Sequence, residues 1–582
     1  MTLALGRPGG SAQHRRHPIP LDGWRDRLRP QLKVTPARTI LLAAFICWLA
    51  SLRSLGHAPV SQYGLLAAGS PLFVTSIALT GAGFVLAARE SDLAAAWASV
   101  AMSIATLRVS VSLATAVPFY SWTYKHIAVA DYIQQTGTAA RDSDIYQHWN
   151  GLFAATAWLS DVSGINIIAL AHWFTPAVYV IAAFLVYAVA RVWQCPPMTA
   201  VVATFLVQNL DWVGQSYYSP QCTAYLLALG VVGLIGWGLR SGRCTRAVIG
   251  LILVLFTAIV VTHQLTPYWL ILLSVLLTVT GRLRPRWLMF AMIGIAVGFL
   301  AYNWSSASHF GLLNATDPVA NAQTNVPTIG VFGQRITSLI VRLLSGTVWA
   351  SALICAIVAA FRRRPFLVPT LLAFSSFGIL FGQGYGGEAI FRVFLFSLPG
   401  CAMLIAPAVE RLAKIKLTLM PLVALCAAAA VASGQGLFGA WSSYRMPADE
   451  VALSTKLMQI SPVPTYITAA APVWPERNSA RYVDFARWNP SFDITMVFAA
   501  KLVGSHFSSP SEYGQFMSVV QARGATPTYM IITTQMQVYD WYFGILPWDA
   551  IPNLQKHIDK DPRWKPYYLS PTVHVYKLVT QG

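Results

Sequence analysis

Thirteen apolar stretches punctuate the first 440 residues of this 582-residue chain. They fall near 39–56, 70–88, 95–117, 165–190, 198–214, 222–240, 247–263, 267–281, 287–303, 336–360, 366–383, 391–409 and 417–434. A helix needs about 20 apolar residues to cross a bilayer, and in lipid every backbone N–H and C=O must be bonded within the structure. A chain built this way has few options. It is expected to be a polytopic α-helical membrane protein with about thirteen transmembrane helices. Charged residues make up only 11% of it, against about 25% in an ordinary soluble chain.

The formal net charge is +19, which by itself would suggest nucleic acid. Its distribution argues for topology instead. Residues 1–440 carry 29 Lys and Arg against 12 Asp and Glu, whereas residues 441–582 carry 12 against 10. Basic clusters stand at Arg240/Arg243/Arg246, Arg282/Arg284/Arg286, Arg362/Arg363/Arg364 and Arg411/Lys414/Lys416. With the N-terminus inside, all four fall in cytoplasmic loops, as the positive-inside rule asks. The expected setting is the plasma membrane, with no nucleic-acid partner. Residues 1–38 hold eight basic residues, several prolines and no cleavable signal. They read as a basic, disordered cytoplasmic tail.

An odd number of spans puts residues 441–582 on the outer side. Their composition changes at about Trp441 and reads as an extracytoplasmic α/β domain. PADEVALSTKLMQI (447–460) has helical spacing, PTYMIITT (527–534) reads as a buried strand, and WKPYYLSPTVHVYKLVT (564–580) as a terminal hairpin. The seven cysteines include no CxxC pair and none in the last 150 residues. That supports no redox or metal motif and rules out a disulfide-held tail.

Of the 12 acids in the membrane half, seven fall at the expected outer face: Asp131, Asp142, Asp144, Asp161, Asp211, Asp317 and Glu388. Outer loops 118–164 and 304–335 are long, so function is expected outside. In the first loop, HIAVADYIQ and WNGLFAATAWLSDV read as two helices lying on the membrane surface. Asp131 lies in the first; Asp142, Asp144 and His148 lie between them. A carboxylate there suits a general base for a sugar hydroxyl, or serves only as a solvated charge or cap. Asp211 and Gln221 flank Tyr217 and Tyr218 in QNLDWVGQSYYSPQ (208–221), where they would reach sugar hydroxyls or merely end a helix. His263 and Gln264, before Thr266-Pro267, are open to ligand contact or a structural hydrogen bond.

FGQGYGGEAIFRVFLFSLPG (381–400) places Glu388 and Arg392 one helical turn apart at the mouth of an apolar helix. They read either as a self-neutralising ion pair or as an anion site. In the second reading Arg392 meets a phosphate, with Gly384, Gly386 and Gly387 offering close backbone approach. There is no Walker lysine, so nucleotide binding is not indicated. Arg108 and Arg342 lie within spans, where an unpaired arginine costs about 2.5–3.5 kcal/mol on insertion scales. Each must pair, snorkel or meet a lipid phosphate.

DIYQHWNGLFAATAWL (144–159), SYYSPQ (216–221), THQLTPYWLIL (262–272) and GGEAIFRVFLFSLP (386–399) resemble an actinobacterial group placed near the GT-C superfamily of membrane glycosyltransferases. The resemblance covers most of residues 40–440. It implies a polyprenyl-phosphate sugar donor, a glycan or glycolipid acceptor, and inverting transfer on the outer face. It matches Asp131 to the loop acid that serves as base, and Arg392, with Glu388 its neighbour, to the donor phosphate; Asp144 stays the second catalytic candidate from the loop itself. In one respect the chain departs: the superfamily acid normally follows the first span, and here the matching loop follows the third. No cofactor is implied, although Asp142-Ser143-Asp144 has the DxD form that a divalent cation can use. Two other readings remain open from the sequence: a non-catalytic assembly partner in envelope polysaccharide synthesis, and a transporter of lipid-linked sugars.

Overall fold

A computed structural model of the chain describes residues 34–213, 217–241, 245–308, 317–323, 326–382 and 387–579. Residues 1–33 of the basic N-terminal tail, Gly384 and Gly386 lie outside the described residues, and the last three residues assigned to that tail, Pro36–Arg38, instead open the first helix. The membrane half runs α1 (Pro36–Leu55), α2 (Pro71–Glu90), α3 (Leu93–Ala114), two helices of the first long loop, α4 (Trp122–Thr136) and α5 (Gly151–Ser163), then α6 (Ile167–Val192). It continues with α7 (Pro197–Leu210), α8 (Pro220–Ser241), α9 (Arg246–Thr262), α10 (Thr266–Val279) and α11 (Trp287–Tyr302). Then follow α12 (Phe332–Phe361), α13 (Leu367–Phe374, extended by a 3-10 turn to Phe381), α14 (Ala389–Lys414) and α15 (Lys416–Phe438). Each of the thirteen apolar stretches holds a helix, although the stretches at 95–117 and 198–214 leave it early, at Ala114 and Leu210. Among the described residues, eight helices are long and apolar enough to cross a membrane, and five more are apolar but shorter. The protein is a multi-pass membrane protein.

The helix starts follow from local chemistry. Thr35 and Ser70 cap α1 and α2, each followed by a proline at the first helical position. Asp92 caps α3 by accepting from Ala94 and Ala95, and also takes Arg38 Nε at 2.8 Å, which ties the base of α1 to α3. Within α3 the backbone widens to a π turn at Ala105–Val109, which carries Arg108. Such turns break the regular facing of a helix and recur at functional sites.

Among the eight long spans α14 is the most buried. It crosses α13 backbone to backbone: a Cβ on Gly400 would lie 2.2 Å from Ala373 N and 2.6 Å from Pro369 O. Neither neighbour is a flexible side chain. Gly400→Ala is therefore expected to push these helices apart and cost about 1–3 kcal/mol. A lowered unfolding temperature of the detergent-solubilised protein would show it; an unchanged one would mean that the crossing relaxes freely.

The C-terminal region forms α16 (Ala448–Ile460), β1 (Tyr466–Ala469), α17 (Pro510–Gln521), β2 (Thr528–Thr533), α18 (Thr534–Phe543), α19 (Ala550–Lys560), β3 (Trp564–Leu569) and β4 (Val573–Leu578). The sheet order is β1-β2-β4-β3. β1 and β2 are parallel, β4 is antiparallel to β2, and β3–β4 is the expected terminal hairpin. β2 is buried at all six residues, as its unbroken apolar run requires. The core of this domain does not end at the domain. It is continuous with Tyr124 and Ile127 of α4, Leu152 and Phe153 of α5, and Ile167 of α6.

Asp540, on α18, is fully buried, and its carboxylate oxygens find no hydrogen-bond partner among the described residues. Burial pushes its pKa up to about 8. The folded chain then holds a proton that the unfolded chain releases above pH 4, so stability falls as pH rises from about 4 to about 8. The unfolding temperature is expected to be lower at pH 8 than at pH 5.5, and Asp540→Asn should make that slope shallower, with buried Glu450 and Glu476 supplying the remainder. A slope unchanged in the variant would contradict the assignment.

Candidate functional site

A cavity of about 800 Å³ opens where α3, α6, α12, α14 and α15 meet the C-terminal domain. Its membrane part is apolar, with Val111, Val341, Trp349 and Phe394 on the walls. Hydrogen bonds brace these walls: Trp212 Nε1 donates to Ser345 Oγ and Trp349 Nε1 to Ser397 Oγ, both at 2.9 Å.

Tyrosines drawn from distant segments line another part. Tyr120 packs edge-on to Tyr217 at 4.8 Å and to Tyr444 at 4.9 Å. Phe543 of α18 lies 5.6 Å from Tyr444. Burial, reinforced by neighbouring phenols and by Glu388, holds the Tyr120 and Tyr217 hydroxyls far above their ordinary pKa. They remain neutral groups able to donate. Tyr542 also lines the cavity, and its carbonyl accepts from Val331 N at 3.2 Å. Gly544, just beyond, has φ +69° and would bring a Cβ to 2.2 Å from Ile329 O. Only glycine lets α18 sit this close to segment 326–331.

Charge enters the cavity at three side chains: Arg108, Arg342 and Glu388. Arg108 lies 3.8 Å over the Tyr179 ring and 3.9 Å from Asp211 Oδ2. It also donates to the Asp211 carbonyl. Asp211 is itself buried, accepting from Tyr179 and from Val213 N. Glu388 pairs at 2.8 Å with Arg392, whose side chain is 6% exposed against 41% for Glu388. Arg392 thus braces Glu388 from behind, while Glu388 faces the cavity. Arg342 is exposed; its Nε donates to Ser338 O of the preceding turn at 3.2 Å. No carboxylate pairs with it among the described residues.

The other residues singled out in the sequence lie elsewhere. Asp131 Oδ2 accepts from Ala480 N at 2.8 Å and Oδ1 from Gln135 at 2.9 Å. Asp144 is buried against Arg477 at 3.0 Å, with Lys125 at 3.9 Å. Asp142 takes two bonds from Arg487, at 2.8 and 3.0 Å. All three acids thus form a seam between the first outer loop and the C-terminal domain, and none lines the cavity. The DxD carboxylates are directed at two different arginines. His148 lies between Asn303 Oδ1 at 3.1 Å and the Arg141 carbonyl at 2.7 Å. His263 Nδ1 accepts from Thr266 N at 3.2 Å and contacts Thr266 Oγ1 at 2.8 Å, closing the first turn of α10, with Gln264 half-buried beside it. Gln221 is buried at the start of α8. Of the residues expected to act, Glu388 alone lines the cavity, with Arg392 and Asp211 directly behind its charged lining.

Comparison with known proteins bears on the fold. No protein-family model and no curated protein matches the sequence. Among solved structures, the oligosaccharyltransferase AglB from Archaeoglobus fulgidus, in complex with an inhibitory peptide and a dolichol-phosphate, superposes with a TM-score of 0.51. Identity is 12%, over 83% of this chain and 74% of that one. ArnT from Cupriavidus metallidurans bound to undecaprenyl phosphate gives 0.44 at 11% identity, over 79% and 94% of the two chains. The chain has the fold of the GT-C superfamily of membrane glycosyltransferases.

Proposed function

We propose that this protein is a glycosyltransferase that moves a sugar from a polyprenyl-phosphate donor to a hydroxyl of an envelope glycan or glycolipid. One observation carries the reading: within a GT-C fold, a single cavity joins apolar walls among the spans to a carboxylate and an arginine with no carboxylate partner among the described residues. A lipid phosphate needs that combination. Its chain lies along Val341, Trp349 and Phe394, and its charge meets Arg342. The fold's likeness to AglB, solved with a dolichol-phosphate, agrees with this class of donor.

The chemistry follows from the lining. Glu388, fixed by Arg392, takes the proton of the acceptor hydroxyl. The acceptor oxygen bonds to the anomeric carbon as the bond from that carbon to the phosphate oxygen breaks. Arg342 stabilises the charge that returns to the phosphate. A single displacement inverts the anomeric centre. The cavity would work at the outer face, with the N-terminus inside.

The test is release of undecaprenyl phosphate from a panel of undecaprenyl-phosphate sugars, with an envelope extract as acceptor. Release that requires the acceptor supports transfer. A folded protein that releases nothing from any donor, while binding none of them, would remove the donor reading.

A further inference from the structure

We infer that the sugar carried by the donor is uncharged, a conclusion that rests on the donor reading above. The argument is a charge count. Three ionic side chains line the cavity, and two of them are already balanced. Asp211 stands 3.9 Å behind Arg108, and Arg392 lies 2.8 Å behind Glu388. Arg342 alone is left without a carboxylate among the described residues. His172, also on the wall, directs its ring Nε2 at the Ser112 carbonyl, 2.9 Å away. The tyrosine hydroxyls are neutral. The site as built therefore offers one net positive charge.

A neutral sugar on a lipid phosphodiester brings one negative charge, and the sum is zero. A uronic acid brings two, so that one anion enters a largely apolar cavity without a partner. That is costly wherever water is excluded. An amino sugar brings a cation, and its only acid neighbour, Glu388, is already held by Arg392. The remaining surface suits an uncharged ring. Tyr120, Tyr217 and Tyr444 line it, and a phenol can meet both the C–H face and the hydroxyls of a sugar.

The experiment is ligand-induced thermal stabilisation of the full chain in detergent. The probes are undecaprenyl phosphate alone and its glucosyl, glucuronyl and glucosaminyl forms. The glucosyl form is expected to act at a concentration about tenfold below the glucuronyl form, or about 1.4 kcal/mol, and below that of the glucosaminyl form as well. Ser338→Lys places a second cation one turn from Arg342 and should narrow the gap between glucuronyl and glucosyl. Equal or tighter binding of either charged sugar in the wild type overturns the inference while leaving the donor reading intact. So does an unchanged ratio in folded Ser338→Lys. Absence of stabilisation by all four probes overturns the donor reading itself, and the inference with it.

Discussion

Glu388→Gln is expected to lower sugar transfer by about 10²–10⁴-fold, the range a positioned general base contributes, while the protein still folds and binds undecaprenyl phosphate. The substitution keeps the shape and a hydrogen-bond acceptor toward Arg392 but removes the group that takes the proton. Asp131→Asn is the informative companion. Asp131 contacts Gln135 and the Ala480 amide rather than the cavity, so its loss should leave transfer within a few-fold of wild type. The two variants separate the sites cleanly. Transfer lost in Asp131→Asn and kept in Glu388→Gln would move the base back to the first loop.

Removing Arg477 is the second large effect. Its guanidinium is 11% exposed and pairs with Asp144 at 3.0 Å and Asp493 at 2.7 Å, both nearly buried. Arg477→Ala takes the paired cation from Asp493 and leaves Asp144 with only the more distant Lys125, a change that costs about 3–5 kcal/mol when a buried pair is broken. Glu476 beside them is already pushed up to about 7 by burial and by Asp493, and the one other cation paired with these acids among the described residues, Lys125, stands 3.9 Å from Asp144. Arg487 tests the contrast. Its pair with Asp142 is open to water, at 43% and 61% side-chain exposure, and such pairs are worth about 0–1 kcal/mol. Limited proteolysis and unfolding temperature should show a loosened C-terminal domain in Arg477→Ala and almost none in Arg487→Ala. Similar behaviour of the two variants would mean that the buried network is not what holds the seam.

Much of the fold was legible in the sequence because lipid leaves a chain little freedom. Apolar length fixes a span, whereas the capped start of α1 at Thr35-Pro36 fell within the stretch read as tail. Glu388 and Arg392 were legible as a pair because they lie four residues apart on one helix. The seam was not. Asp131 and Asp144 stand in the sequence as acids at the lipid–water boundary, which is also how a catalytic carboxylate looks. Their partners, Ala480 and Arg477, lie more than 300 residues downstream. Arg342 was visible as a lone cation in an apolar span, but whether it faces lipid, a partner or a cavity depends on how α12 is turned. The tyrosines were harder still, since Tyr120, Tyr217, Tyr444 and Tyr542 come from four separate parts of the chain and share no spacing.

The continuity of the C-terminal core with α4 and α5 sets how this chain can be divided. Composition changes at Trp441, and a cut there looks natural on the page. It would separate Tyr124, Ile127, Leu152 and Phe153 on one fragment from the buried C-terminal residues that share one core with them on the other. Each half would carry a sticky apolar surface made for its counterpart. The two halves are thus obligate companions in synthesis: the spans inserted first must hold their loop helices ready until the last 140 residues arrive to cover them.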